Sequence, residues 1–201
     1  MKVRHIIFDL GNVLVDIHPE RAMKAFATAC QKDYEFIRQF FLSPLHLEFM
    51  RGMIPPTKFY HTLMEKYDCN IPYDEFIRIW DLVIGEPKPG IEEIVHSLLN
   101  KGYLLSLCSN TDPWHWKIAQ QKCPFLKEFD YFFLSFELQI TKPDSRIFQF
   151  MREKLNAQAP ECVLIDDTQE NLDEARRMGY LTILADNSQM VREGLAKFNL
   201  I

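Results

Sequence analysis

Four polar clusters in this 201-residue chain each stand behind an apolar run. Asp9 follows Ile6-Ile7-Phe8, Ser109-Asn110-Thr111 follow Leu104–Cys108, Thr141-Lys142-Pro143 come after Tyr131–Leu134, and Asp166-Asp167-Thr168 follow Val163–Ile165, with Asn171 shortly beyond. A carboxylate, a hydroxyl, an ammonium and a pair of acids can together transfer a phosphoryl group. A carboxylate that attacks phosphorus forms an aspartyl phosphate and divides one hard displacement into two easier ones. Asp9 would repel a phosphate dianion, so a divalent cation must lie between them. Mg²⁺ takes carboxylate, carbonyl and water oxygens, and Asp9, the Gly11 carbonyl and Asp167 could supply the protein's share. The Ser109 hydroxyl, backbone N–H groups near Asn110 and the Lys142 ammonium are suited to the remaining phosphate oxygens.

Each cluster also has a plain structural reading. Asp9 can cap the turn made by Gly11-Asn12, Ser-Asn behind a strand is a common helix cap, and Lys-Pro starts many helices. The Asp166-Asp167 pair is harder to set aside, because adjacent acids repel unless a cation or several hydrogen bonds offset them. The order of the set, each member behind a strand, carries more than any one member.

Elements must bring these clusters together. β-branched and apolar runs at His5–Phe8, 103–109, 131–134, 162–165 and 180–184 read as buried strands. They alternate with helical segments at about 91–100, 112–121, 144–155, 169–178 and 188–198, and Gly102 and Gly179 fall where helix C-caps are expected. Such alternation implies an α/β fold with a doubly wound parallel sheet. All four clusters then emerge at the carboxyl edge, where open α/β sheets bind ligands. From Asp16 to about Pro87 strands vanish, and amphipathic segments at 19–31, 33–42, 56–67 and 73–84 predict four or five helices inserted after the first strand. Phe36, Ile37, Phe40 and Phe41 are read as the apolar face of the second.

Composition narrows the partners. The 47% hydrophobic content and 16 Phe support a sizeable core, and no uncharged apolar run nears the roughly 18 residues of a membrane span. Lys2 and Arg4 precede an apolar stretch, but Asp9 interrupts it, so no signal peptide is expected. A net charge of −5 without a basic block gives no reason to expect nucleic acid. Cys30, Cys69, Cys108, Cys123 and Cys162 are odd in number and widely spaced, which reads as reduced thiols in a cytoplasmic protein.

F-D-L-G-N-V-L-V-D at 8–16, Ser109-Asn110, Lys142-Pro143 and I-D-D-T-x-x-N at 165–171 resemble the four motifs of the haloacid dehalogenase (HAD) superfamily. The resemblance covers nearly the whole chain. It implies a Rossmann-like core of residues 1–16 and 87–201 and a helical cap of residues 17–86. Asp9 would be the nucleophile, Ser109, Asn110 and Lys142 would bind the phosphoryl group, and Asp9, Gly11 and Asp167 would hold Mg²⁺. Asp166 would orient water or neighbouring backbone, and Asn171 would brace the metal loop. The double acid followed by asparagine is similar to a branch with bacterial α-D-glucose-1-phosphate phosphatases and the phosphatase domain of soluble epoxide hydrolases. The substrate implied is a small phosphorylated metabolite, a sugar phosphate such as glucose-1-phosphate, taken by a monomer or homodimer free of membrane and nucleic acid.

One departure matters: Gly11 stands where most HAD phosphatases carry a second aspartate that protonates the leaving oxygen. A positioned general acid contributes about 10²–10⁴-fold. An anomeric phosphate leaves as a less basic hemiacetal and depends less on that proton. Asp16 and His18 are substitute proton carriers to consider, although Asp16 reads better as the N-cap of the first inserted helix, and Trp114, His115 and Trp116 could shape the pocket. A 2-haloacid dehalogenase, which also lacks that aspartate, and a catalytically inactive binding or regulatory protein are the alternative readings.

Overall fold

The structure is a computed structural model that describes residues 2–201. Its centre is β1 (His5–Phe8), buried at every residue. Around it lie β4 (Leu104–Ser109), β5 (Tyr131–Leu134), β6 (Cys162–Asp166) and β7 (Leu181–Leu184), in the order β5-β4-β1-β6-β7. Every pairing in this sheet is parallel. The strands read as continuous apolar runs because helices cover both faces. Alternate residues serve opposite faces: Ile6 and Phe8 enter one core cluster, Ile7 the other.

The helices that flank the sheet are α6 (Ile91–Asn100), α7 (Pro113–Lys122), the single turn α8 (Ser135–Leu138), α9 (Ser145–Leu155), α10 (Gln169–Arg177) and α11 (Ser188–Lys197). Gly102 and Gly179 follow α6 and α10 at φ of 80° and 89°, the left-handed conformation that ends a helix most cheaply in glycine. Register places the chemistry. Phe8 lies level with Leu107 and Ile165, so Asp9 shares a level with Cys108 and Asp166, while Ser109 and Asp167 stand one residue farther out. The ladder runs on through Asp9 N–H, which donates to the Ile165 carbonyl at 2.8 Å.

Between β1 and α6 come β2 (Val15–Ile17), five helices and β3 (Ile84–Pro87). The helices are α1 (Pro19–Cys30), α2 (Tyr34–Phe41), α3 (Pro44–Met50), α4 (Pro56–Lys66) and α5 (Tyr73–Trp80). Their core is aromatic: Trp80 is fully buried, stacked on Phe76 with centroids 5.7 Å apart, and Phe49 stacks on Phe59 at 4.1 Å. Trp114 reaches in from α7, 4.9 Å from Phe49.

Several expectations for this segment need correction. β2 and β3 form an antiparallel ribbon, Val15 with Pro87 and Ile17 with Ile84, where no strand was expected. Three residues of β2 and a Gly-Pro-containing β3 carry too little pattern to read. The helix expected to 84 stops at Trp80 because Asp81–Val83 turn into β3. Asp16 does not cap α1; it pairs with Lys88 at 2.6 Å, and Pro19 begins the helix without a side-chain cap. Phe36 is 37% exposed, since only Ile37 and Phe40 of α2 turn fully inward.

The thiols are not all reduced. Cys30, at the end of α1, is joined to Cys69 in the loop after α4, with Cα atoms 5.1 Å apart. Folding brings together two ends that are 39 residues apart, a pairing without local signature. Cys108, Cys123 and Cys162 are free and buried. No helix among the described residues is long and apolar enough to cross a membrane.

Candidate active site

Asp9 leaves β1 at the centre of the carboxyl edge and opens onto a cavity of about 300 Å³. Lys142 is buried beside it, its Nζ 2.7 Å from Asp9 Oδ1 and 2.6 Å from Asp166 Oδ2. Asn110 fixes the lysine's backbone through a reciprocal pair: its Nδ2 donates to the Lys142 carbonyl at 2.9 Å, and Lys142 N–H donates to its Oδ1 at 2.8 Å. The second and third clusters are therefore one unit. Thr141, next in line, accepts from Arg51 at the end of α3.

Asp166 has little left to offer a ligand. Besides Lys142 it accepts from Thr168 N–H at 2.9 Å and from Asn171 Nδ2 at 3.0 and 3.1 Å. The helix that begins at Gln169 carries Asn171 back under the acid, which accounts for their spacing. Asp167 is freer. It accepts from Asn12 Nδ2 at 2.8 Å, a contact made because Asn12 turns the chain at φ 56°.

Burial pushes the Asp9 carboxyl up to about 7; Lys142 pulls it down, and Asp166 and Asp167 repel it further. Burial alone would lower the Lys142 ammonium, but Asp9 and Asp166 outweigh it and hold it above the ordinary lysine range. Asp9, Asp166 and Asp167 each bring a carboxylate oxygen within 4.8 Å of the others. Three hard-oxygen acids against one ammonium fit a divalent cation of the magnesium kind.

Asp9, Gly11, Ser109, Asn110, Lys142 and Asn171 all line the cavity. Asp166 and Asp167 are not in that lining: Asp166 is buried behind Lys142 and Asn171, and Asp167, half-buried, is held by Asn12. Asp9 is the only acid in the cavity lining among the described residues, and a Cβ at Gly11 would come 3.0 Å from Ile17 Cγ1, so the isoleucine of β2 occupies the neighbouring space. Asp16 and His18 are not on this wall; Asp16 pairs with Lys88, and His18 Nδ1 lies 3.5 Å from Glu20. Trp114 packs in the bundle and Trp116 against Phe132, so neither tryptophan forms the wall.

His115 does line it. Its Nδ1 meets Asp112 Oδ2 at 2.7 Å and its Nε2 meets the Trp80 carbonyl at 3.0 Å. Two acceptors require two N–H donors, so the ring is an imidazolium. Burial opposes that charge, yet Asp112 outweighs it and raises the pKa, while the imidazolium lowers that of Asp112 against its burial. Sequence reasoning missed Phe41, His46, Met50, Val83 and Ile84, which form the far wall. Phe41 was read as core, and α3, which carries His46 and Met50, had no periodicity to reveal it.

The haloacid dehalogenase-like hydrolase family matches residues 3–179. A D-ribitol-5-phosphate phosphatase of Bacteroides thetaiotaomicron is 25% identical over 96% of this chain and 97% of its own length. The bifunctional epoxide hydrolase 2 of Mus musculus is 27% identical over 98% of this chain, which spans only 39% of that enzyme. A crystal structure of a HAD family enzyme from Bacteroides thetaiotaomicron, in complex with magnesium and inorganic phosphate, superposes with a TM-score of 0.81 over 90% of this chain and 93% of that one, at 24% identity.

Proposed function

The chain belongs to the haloacid dehalogenase-like hydrolase family, and from that footing we propose a magnesium-dependent phosphoric monoester hydrolase that acts on a small phosphorylated metabolite of the sugar or polyol kind. The observation that carries the proposal is the single buried knot of Asp9, Lys142 and Asp166 in the wall of the cavity. Asp9 attacks phosphorus and takes the phosphoryl group as an aspartyl phosphate, the alcohol leaves, and water then frees the aspartate. Ser109 and Lys142 hold the phosphoryl oxygens, and Lys142 offsets the charge that gathers on them. Asn110 positions Lys142 through its backbone, and Asp166, itself held by Asn171, accepts from its head group.

Mg²⁺ would be held by Asp9, the Gly11 carbonyl and Asp167, where it would screen the acids from the phosphate. Asp166 is spent on hydrogen bonds and orients rather than ligates. That acid cluster also weighs against the dehalogenase alternative, whose attack on carbon needs no metal. Residues 17–86 would form the cap and residues 1–16 and 87–201 the core, with the cap excluding bulk water from the reacting groups. Relatives named for D-ribitol 5-phosphate and for phosphorylated carbohydrates support the substrate class, and glucose-1-phosphate remains a candidate within it.

Steady-state hydrolysis of p-nitrophenyl phosphate, ribitol 5-phosphate and glucose-1-phosphate, with and without Mg²⁺, tests the reading. Turnover should need Mg²⁺ and fall on the order of 10⁵-fold in Asp9→Asn, the scale of losing a nucleophile. Equal turnover by wild type and Asp9→Asn would end it.

A further inference from the structure

His46 of α3 forms part of the cavity wall, and the reaction at Asp9 makes no use of it. Its Nδ1 lies 2.8 Å from the Phe41 carbonyl oxygen. A carbonyl only accepts, so Nδ1 carries the proton and Nε2 of the neutral ring is a bare lone pair. That Nε2 is buried without a partner. The ring is wedged edge-on to Trp80, centroids 5.2 Å apart, and against Phe41 at 6.0 Å, so it does not swing out to find water. Burial holds its pKa below the usual histidine range, which keeps the acceptor unprotonated at neutral pH.

An orphaned buried acceptor is costly, and native structures keep few of them. The protein supplies no remedy from the same wall. Among the described residues, the other side chains that β2, β3 and the helices between them give to the cavity are Ile17, Pro19, Phe41, Met50, Val83 and Ile84, none a donor. His115 is committed on both nitrogens. None of the described residues supplies the donor.

We propose that His46 Nε2 accepts a hydrogen bond from a hydroxyl of the substrate's alcohol half, and that the protein thereby favours phosphate monoesters whose alcohol carries a hydroxyl within its reach over those that carry none. The inference rests on the phosphatase reading and deepens it. A phosphorylated alcohol with a hydroxyl in reach of His46 supplies that donor, and one without it leaves the nitrogen unpaired.

Glycerol 3-phosphate and propyl phosphate share a carbon chain and differ in hydroxyls. Wild type should prefer glycerol 3-phosphate in kcat/KM by about ten-fold or more, the scale of satisfying a buried acceptor. The preference should collapse toward unity in His46→Leu and persist in part in His46→Gln, whose carbonyl still accepts. Ratios within one variant cancel any loss of folded enzyme. In ¹⁵N imidazole spectra of Asp9→Asn, His46 Nε2 should be unprotonated and should move with glycerol 3-phosphate but not with propyl phosphate. An unchanged ratio in His46→Leu, or a proton on Nε2, overturns the proposal while hydrolysis itself stands. Wild type inert toward these esters and p-nitrophenyl phosphate would take down the phosphatase reading, and this one with it.

Discussion

The two walls of the cavity are built on different principles. At the sheet edge, Asp9, Lys142 and Asp166 are buried charges held by backbone register and a dense set of hydrogen bonds. Across from them, α2, α3 and the β2–β3 ribbon offer carbon and a single unpaired nitrogen, positioned by packing around Trp80. The first wall is rigid because a displaced charge would be stranded in a dry place. The second can be repacked at modest cost, so chemistry and choice of substrate can change separately.

Lys142→Met tests the first wall hardest. It removes the ammonium between two buried acids, so kcat/KM should fall by about 10²–10³-fold and stability by about 3–5 kcal/mol, read by steady-state kinetics and urea denaturation. On the other side, Cys69→Ser frees the helical segment's cross-link and should cost about 2–4 kcal/mol with turnover close to wild type. If Cys69→Ser lost activity as steeply as Lys142→Met, the walls would not be separable.

The smallest effect lies at the seam, where Asp112 and His115 join α7 to Trp80. The raised His115 pKa gives stability that is full below its unfolded value of 6.5 and fades as pH rises through the higher folded value. The lowered Asp112 pKa gives stability that is full above 3.8 and fades as pH falls through the lower folded value. Between those limits the pair holds fully. Raising pH from 6 to 9 should therefore lower Tm by about 2–4 °C more in wild type than in His115→Asn, roughly what 1 kcal/mol yields in a chain of this size. Differential scanning calorimetry at the two pH values reads it.

The same division explains what could be read from sequence. The edge was legible because strand runs ending in Asp9, Ser109 and Asp166 leave a local mark, and register then brings them level. That Asn110 grips the backbone of Lys142 was not legible, since each looked sufficient as a cap or a cation alone. The helical wall left almost no mark. His46 sits in a seven-residue helix too short for a period, and Phe41 looked like any core phenylalanine because a cavity wall and a core ask for the same side chain. The Cys30–Cys69 bond depends on where two helices end in space, which spacing does not encode.

The ribbon of Val15–Ile17 against Ile84–Pro87 has a consequence of its own. The chain departs and returns through the same narrow doorway, its two threads stitched together, so everything between them is tied covalently to the rest at one place. Such a segment can be exchanged as a cassette: a foreign bundle spliced at Ile17 and Ile84 would meet Asp9 and its hydrogen-bonded neighbours unchanged. A donor bundle would also have to meet what the core offers it: the Trp114 ring, the Asp112–His115 pair that holds Trp80, the Thr141 hydroxyl that takes Arg51 and the Ser135 hydroxyl that donates to the Met50 carbonyl.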